Sequence, residues 1–285
     1  QVQQMSLDEA YVDVSFCKTY KEAEKTRRKL RMQAGPPKCE SFWRVAEQIA
    51  QNMRAEILKQ EKLTASCGVG PNKMIAKIAC EAAKPRTFPA GKVRGKPNGV
   101  VVVSEENAES FVEPLVIEKM PGIGKKTAAI LRESNFQTVA DLKKLSEHDL
   151  QDLFGKRGKE MYLHVRGIDR SPVEEEREVK SIGKEVTFAE DTRDPEVLVQ
   201  TFETLAKQVG QEVQEQNLAF KTITVVCRFS GFETHTKDKT LAEPSSDQAV
   251  LRKERMKLLL RFITEKPRPV RLIGIRAKIA AQEKV

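Results

Sequence analysis

The stretch Val270-Arg-Leu-Ile-Gly-Ile-Arg-Ala-Lys-Ile279 decides the fold of the last part of this chain. Ile273, Ile275 and Ile279 fall on one face and Gly274, Arg276 and Lys278 on the other, the period of two that marks a strand with one buried side. Lys180-Ser-Ile-Gly-Lys-Glu-Val-Thr-Phe188 repeats the pattern, with Ile182, Val186 and Phe188 opposite Ser181, Gly183, Glu185 and Thr187. After the strand at 180–188, the sequence predicts a helix at 194–216, strands at 220–229 and 232–240, a helix at 245–264 and the strand at 270–279. The order β-α-β-β-α-β describes a small sheet with two helices on one face. Its other face is left with small, hydroxyl and basic residues, which lets backbone N–H groups, hydroxyls and cations meet phosphates without reading bases. A merely solvated sheet face would carry a similar pattern.

Upstream of this unit, Ser171-Pro-Val-Glu-Glu-Glu-Arg-Glu178 reads as a charged connector, and the residues from Ser104 to about Gly167 as short helices with glycine turns. Among them Met120-Pro-Gly-Ile-Gly-Lys-Lys-Thr127 sets Gly122 and Gly124 directly before a helix. Glycines there free the backbone to approach a phosphate, the first N–H groups of the helix point at the anion, and Lys125 and Lys126 add charge. The bland alternative is a packing turn between two helices. A P-loop is disfavoured because the Walker lysine spacing is absent.

The first hundred residues read as strand, helix, strand, helix, strand, an α/β sheet domain. Strand or hairpin is expected over Met5–Val14, helix then loop over 18–40, an amphipathic helix from Phe42, a strand over Leu63–Val69, and a helix from Pro71-Asn72 through Ala83. Residues 85–99 hold three Pro and three Gly among basic residues, which marks a surface loop before the strand Gly99–Val103. Within the opening segment, Ser6-Leu7-Asp8-Glu9 places two carboxylates side by side, hard oxygen ligands suited to Mg²⁺ shared with substrate phosphates. Strand alternation separates them, grouping Glu9 with Tyr11 and Asp13, so a hairpin bend is needed to bring both to one metal. A solvated turn is the plain alternative. Lys73, Lys77 and Lys84 share one face of the following helix, either as its solvated side or as point charges for phosphate.

Composition agrees with a polyanionic partner without proving one. Lys and Arg number 50 against 41 Asp and Glu, for a net charge of +9 and a pI near 9.2. The five cysteines form no CxxC pair and the three histidines lie near none of them, which argues against a zinc site or disulfide framework. Free thiols point to a reducing compartment, a nucleus or a prokaryotic cytoplasm. No apolar run approaches the ~18 residues of a membrane span, and no signal-peptide pattern opens the chain. The start at Gln1, entering directly into a strand-like segment, reads as a fragment.

Four motifs occur in one order: Ser6-Leu-Asp-Glu-Ala-Tyr-Val-Asp13, Cys67-Gly-Val-Gly-Pro-Asn-Lys-Met-Ile-Ala-Lys-Ile78, Pro121-Gly-Ile-Gly124 and Lys180-Ser-Ile-Gly-Lys-Glu-Val-Thr187. In them the chain resembles the Y-family (lesion-bypass) DNA polymerases, particularly the DinB, archaeal and kappa branch, from its first residues to about Ile279. The resemblance implies an α+β multidomain protein. Residues 1–103 would be a partial palm, 104–169 a small helical thumb with a helix-hairpin-helix, 170–179 a linker, and 180–285 a little finger that binds DNA. It implies nucleotidyl transfer from a dNTP to a primer 3′-hydroxyl with two Mg²⁺, Asp8 and Glu9 matching two of three acids. A lysine of the family's Lys-Pro-Asn-Gly stretch meets the triphosphate. Here Lys84-Pro85 is split from Asn98-Gly99, so Lys84 or Lys96 could fill that role, with Lys84 preferred for its spacing from Lys77. The implied DNA contacts are Gly122, Gly124, Lys125, Lys126, Ser181, Gly183, Lys184, Thr187, Arg276 and Lys278. A sliding clamp would be a further partner, through regions not evident in this sequence.

The family's first palm strand with its leading Asp, the fingers and the aromatic gate against ribonucleotides lie upstream of the Ser6–Asp13 motif and are absent from these residues. The chain alone is therefore expected to bind primer–template DNA and to polymerise poorly or not at all. A non-catalytic module gripping the DNA backbone is the alternative. A palm-like nucleotidyl cyclase or regulatory nucleotide-binding domain ranks below both, since it explains neither Pro121–Gly124 nor the basic sheet.

Overall fold

A computed structural model describes residues 1–15, 40–84, 99–175, 178–265 and 268–280. They fall into two units, Gln1–Glu176 and Arg177–Val285. The helix and loop expected over 18–40 fall almost wholly outside the described residues, as does the loop expected at 85–99 apart from Gly99.

In the first unit, β1 (Val2–Gln4) and β2 (Ala10–Val12) form an antiparallel hairpin pairing Val2 with Val12 and Gln4 with Ala10. After it come α1 (Glu40–Glu61) and β3 (Cys67–Val69), which pairs in parallel with β4 (Val100–Val102). The strand expected from Leu63 begins only at Cys67: Lys62 takes a left-handed φ of 58° as α1 ends, and Leu63 is exposed. Between the paired strands runs α2 (Lys73–Ala83), capped by the Asn72 side chain, which accepts from the Ile75 N–H at 2.9 Å. Met74, Ile75, Ile78, Ala79 and Ala83 are buried. Full burial of an isoleucine is worth about 1.5–3 kcal/mol, so Ile75 and Ile78 anchor the helix. β3 lies so close to α2 that a Cβ on Gly68 would stand 2.0 Å from the Ala76 carbonyl oxygen.

The same core continues through Val103 and Ala108 into a run of short helices: α3 (Ala108–Val112), α4 (Lys125–Glu133), α5 (Val139–Lys143), α6 (Glu147–Phe154) and α7 (Lys156–His164). Two of them open on capping boxes, Thr138 with Asp141 and Ser146 with Asp149. The chain then returns to α2. Asn72 Nδ2 donates to the Gly167 carbonyl at 2.8 Å, and Asp169 accepts from the Met74 N–H at 3.2 Å.

The second unit carries β5 (Ser181–Thr192), α8 (Pro195–Glu215), β6 (Phe220–Phe229), β7 (Thr234–Ser245), α9 (Gln248–Glu265) and β8 (Val270–Ile279). Its sheet has the order β5-β8-β6-β7 with every neighbour antiparallel. Ile182, Ile223, Val225, Ile273 and Ile275 pack with Leu198, Phe202 and Leu259 in one core. The expected elements are present, with β5 and β7 running longer than the sequence suggested. The β6–β7 turn holds Gly231 at φ 84° and Phe232 at φ 65°, so β7 begins at Thr234 rather than at 232. Buried Arg255 ties α9 to α8, donating to the Phe202 carbonyl at 2.9 Å and to Glu203 at 3.0 Å. No helix among the described residues is long and apolar enough to cross a membrane. Cys67, Cys80 and Cys227 are free thiols.

Candidate active site and nucleic-acid interface

A hairpin bend is present at the carboxylate pair. Met5–Glu9 closes the β1–β2 hairpin, with the Glu9 carbonyl accepting from the N–H groups of Met5 at 2.8 Å and Ser6 at 3.2 Å. Asp8 and Glu9 stand at its tip. The Ser6 hydroxyl donates to Asp8 Oδ1 at 2.6 Å. That bond, then a backbone N–H, then the positive charges of Lys84 and Lys77, hold the Asp8 carboxyl below the usual carboxylate range. Glu9 Oε2 lies 3.0 Å from Lys77 Nζ, and this hydrogen bond raises the Lys77 pKa. Both carboxylates line a cleft of about 810 Å³ together with Tyr11, Trp43 and Lys77.

The lysines expected on one face of α2 have separate partners. Lys73 donates to Gln3 at 3.0 Å and to the Pro172 carbonyl at 2.7 Å, which fixes it in the scaffold. Lys77 meets Glu9, and Lys84 meets Glu81 at 2.5 Å. Lys84 is near enough to lower the Asp8 pKa, whereas Lys96 lies outside the described residues. The donor chemistry at the tip suits a hard divalent cation, with two adjacent acceptor-only carboxylates and nothing burying Asp8. Among the described residues no cluster of three His, Cys, Asp or Glu side chains could hold a metal by itself. The pair therefore fits an ion whose remaining ligands come from phosphate, water or further chain.

A second constellation lies in the run of short helices. Gly122 takes φ 93°, a conformation that favours glycine, and Gly124 caps α4 with no side-chain hydrogen bond. No atom lies within 4 Å of where a Cβ on Gly124 would stand. Buried Ile123 anchors the turn, and Lys125 and Lys126 are exposed in the first turn of the helix. Sequence reasoning missed a companion turn. Gly155, at φ 59° and ψ −139°, opens α7 without a side-chain cap, followed by exposed Lys156 and Arg157. A Cβ on Gly158 would fall 2.0 Å from the Leu150 carbonyl oxygen, so this glycine is what lets α6 and α7 pack. The signal was available: Gly155-Lys-Arg repeats the glycine and two basic residues of Gly124-Lys-Lys.

The third surface is the open face of the four-stranded sheet. Cross-strand register aligns Ser181, Lys278, Thr222 and Thr240 in one row. Gly183, Arg276, Thr224 and Asp238 form the next, and Thr187, Leu272, Arg228 and Thr234 another. Ser181, Gly183, Thr187, Arg276 and Lys278 thus share this face. Lys184 does not: its parity turns it to the helix side, where it pairs with Glu212 of α8 at 2.8 Å. Arg228 joins the face unforeseen, its Nε donating to Thr234 at 2.8 Å, although alternation along β6 would have found it. Lys278 is steadied by Asp238 at 2.9 Å, whose pKa is lowered first by the Thr224 hydroxyl and then by Lys278.

Known protein families match the segments that carry these three surfaces. Residues 1–81 match the impB/mucB/samB family, 118–169 the family described as DNA polymerase-iota, thumb domain, and 179–283 the impB/mucB/samB family C-terminal domain. The DNA polymerase IV of Methanoculleus marisnigri is 34% identical over 96% of this chain and 66% of its own length. That of Clostridium perfringens is 34% identical over 96% of this chain and 67% of its own length. A solved Y-family DNA polymerase chimera, Dbh-Dpo4(243-245)-Dbh, superposes with a TM-score of 0.74 at 26% identity, covering 99% of this chain and 72% of that one. The chain thus spans about two thirds of the length of these relatives.

Proposed function

This chain belongs to the Y family of DNA polymerases, and from that premise we propose that it is the rear part of a lesion-bypass polymerase, adding dNMP to a primer 3′-end by nucleotidyl transfer. The observation that carries the reading is the hairpin tip, where Asp8 and Glu9 stand together on a cleft lined also by Lys77. In this reading residues 1–103 are the partial palm, 104–169 the thumb and 180–285 the little finger, joined by the linker at 170–179. The match of 118–169 to a thumb-domain family supports the middle assignment.

Asp8 and Glu9 would hold a divalent cation such as Mg²⁺, which would supply positive charge against the triphosphate and acidify the attacking hydroxyl. The Ser6 hydroxyl orients Asp8 by its 2.6 Å bond. Lys84, or Lys96, meets the triphosphate as a point charge. The turns at Gly122–Lys126 and Gly155–Gly158 offer helix N-termini to DNA phosphates. On the sheet face, Ser181, Gly183, Thr187, Arg276 and Lys278, joined by Arg228, meet the backbone without reading bases.

A DNA-gripping fragment without chemistry of its own is the second reading, favoured by the absence of a third metal-ligating acid near the pair among the described residues. Primer–template binding and single-nucleotide extension with Mg²⁺ separate the two, comparing the chain with its Asp8→Ala, Glu9→Ala variant. Extension by the chain and not by the variant makes the pair catalytic in this polypeptide. Equal binding with no extension by either assigns this chain to gripping DNA. Failure to bind primer–template at low salt would refute both.

A further inference from the structure

We propose that Lys77 is an internal counter-ion for Glu9 that a divalent cation must displace, a positioning residue that steadies the carboxylate before the cation arrives. The inference rests on the reading of Asp8 and Glu9 as cation ligands. It starts from the 3.0 Å contact between Lys77 Nζ and Glu9 Oε2, made across 68 residues of sequence by two side chains that are each less than half exposed. The lysine projects from a fixed platform. Asn72 and Asp169 hold the N-terminal end of α2, and β3 packs against the helix so closely that only glycine fits at position 68. Glu9 sits instead on a hairpin tip that buries nothing of Asp8 beside it.

The Lys77 ammonium balances the Glu9 carboxylate when no cation is bound. When a divalent ion takes Glu9, the ammonium loses its partner and becomes a like charge beside the ion. The cation alone is therefore bound weakly. A polyphosphate entering with it restores balance by accepting the released Lys77, which remains on the cleft wall. Lys77 thus penalises the lone ion and favours ion and polyphosphate together.

The test uses the whole 285-residue chain and Mn²⁺ alone, followed by the free-ion EPR signal. Lys77→Met should tighten Mn²⁺ binding about three- to tenfold, the size expected when one partly exposed ion pair and one repulsive charge are removed. Lys77→Arg, which keeps the charge, should stay within about twofold of the parent by the same argument. Glu9→Gln should lose most of the binding. Equal affinity for the parent and Lys77→Met, with Glu9→Gln still weakened, overturns the counter-ion role and leaves the metal reading standing. Weaker binding by Lys77→Met with a preserved near-ultraviolet dichroism spectrum also overturns it, making the lysine only a structural support. Parent and Glu9→Gln binding alike would remove the metal reading and this inference together.

Discussion

The guanidinium of Arg157 lies 3.9 Å from the place a Cβ on Gly122 would occupy. Two glycine turns from different parts of the chain therefore share one surface, each opening a helix with two exposed basic residues. Helix N-termini carry partial positive charge, so in the proposed reading both turns would offer backbone N–H groups to a polyanion. The two turns are held from beneath by Ile123 in the core and by Gly158 against Leu150.

Gly124→Val isolates the function of the first turn. Its φ of −85° and ψ of 173° suit valine, and the space around a Cβ is empty, so the variant should fold like the parent with a loss of at most about 1 kcal/mol at the N-cap. The new side chain would stand over the helix N-terminus. Primer–template affinity, read by fluorescence anisotropy, should fall about tenfold or more if a charge-assisted backbone contact is lost. Unchanged affinity of the folded variant would remove this turn from the interface. Gly122→Val separates the effects less well, because φ 93° strains any side chain.

The second turn should respond to charge. Lys156→Ala combined with Arg157→Ala should weaken binding uniformly across DNA sequences. It should also lower the slope of log affinity against log salt by about 2, near one per phosphate contact removed. A slope equal to the parent's would mean that neither residue meets a phosphate.

Arg255 poses a separate test of the second unit. Its guanidinium is 2% exposed, with Nε buried and lacking a partner, and burial lowers its pKa against the opposing effect of Glu203. Glu203→Ala strands a buried cation and should cost about 2–3 kcal/mol, less than a fully buried pair because Glu203 is partly exposed. Arg255→Met leaves a carboxylate that water can reach and should cost less than about 1 kcal/mol. Urea melts of the two variants decide it, and the reverse order of stabilities would refute the argument.

Acid should weaken the cap at α5 in a defined window. Lys144, the Thr138 backbone and hydroxyl, and the Gln137 N–H hold the Asp141 carboxyl well below the usual range. A depressed folded pKa gives stability that is full above the unfolded value, about 3.9, and is lost as pH falls through the folded one. The stability gap between the parent and Asp141→Asn should therefore be widest near neutrality and narrow below about pH 4. A gap independent of pH would show that the Asp141 charge contributes nothing to the cap.

What the sequence made legible follows from which forces are local. Strand alternation at Val270–Ile279 was readable at its far end, where Ile275 and Ala277 are buried and Arg276 and Lys278 exposed, and Asn72 marked its helix start because capping acts over three residues. The hairpin at Met5–Glu9 was readable as one of two options, strand or hairpin, because strand parity by itself separates Asp8 from Glu9. The Lys77–Glu9 pair was not readable, because it depends on where α2 lies against the hairpin. The Gly155 turn lacked the Pro-Gly that announced its companion and merged into a helical run.

Lys184 and Arg276 give the sharpest contrast between sequence and structure. Both are basic, both sit on strands of one sheet, and both were expected to meet DNA, yet the pleat turns them to opposite sides. Lys184 ends on Glu212 of α8, where it covers a helix–sheet seam, whereas Arg276 stands in the open row with Gly183 and Thr224. Lys184→Ala should leave DNA affinity and its salt dependence unchanged and cost about 0.5 kcal/mol of stability, as for other partly exposed ion pairs. Arg276→Ala should do the reverse, lowering the salt slope by about 1 with little effect on the urea midpoint. If Lys184→Ala instead weakens DNA binding as much as Arg276→Ala, DNA reaches the helix side of this sheet. The open face would then lose its claim to be the binding surface.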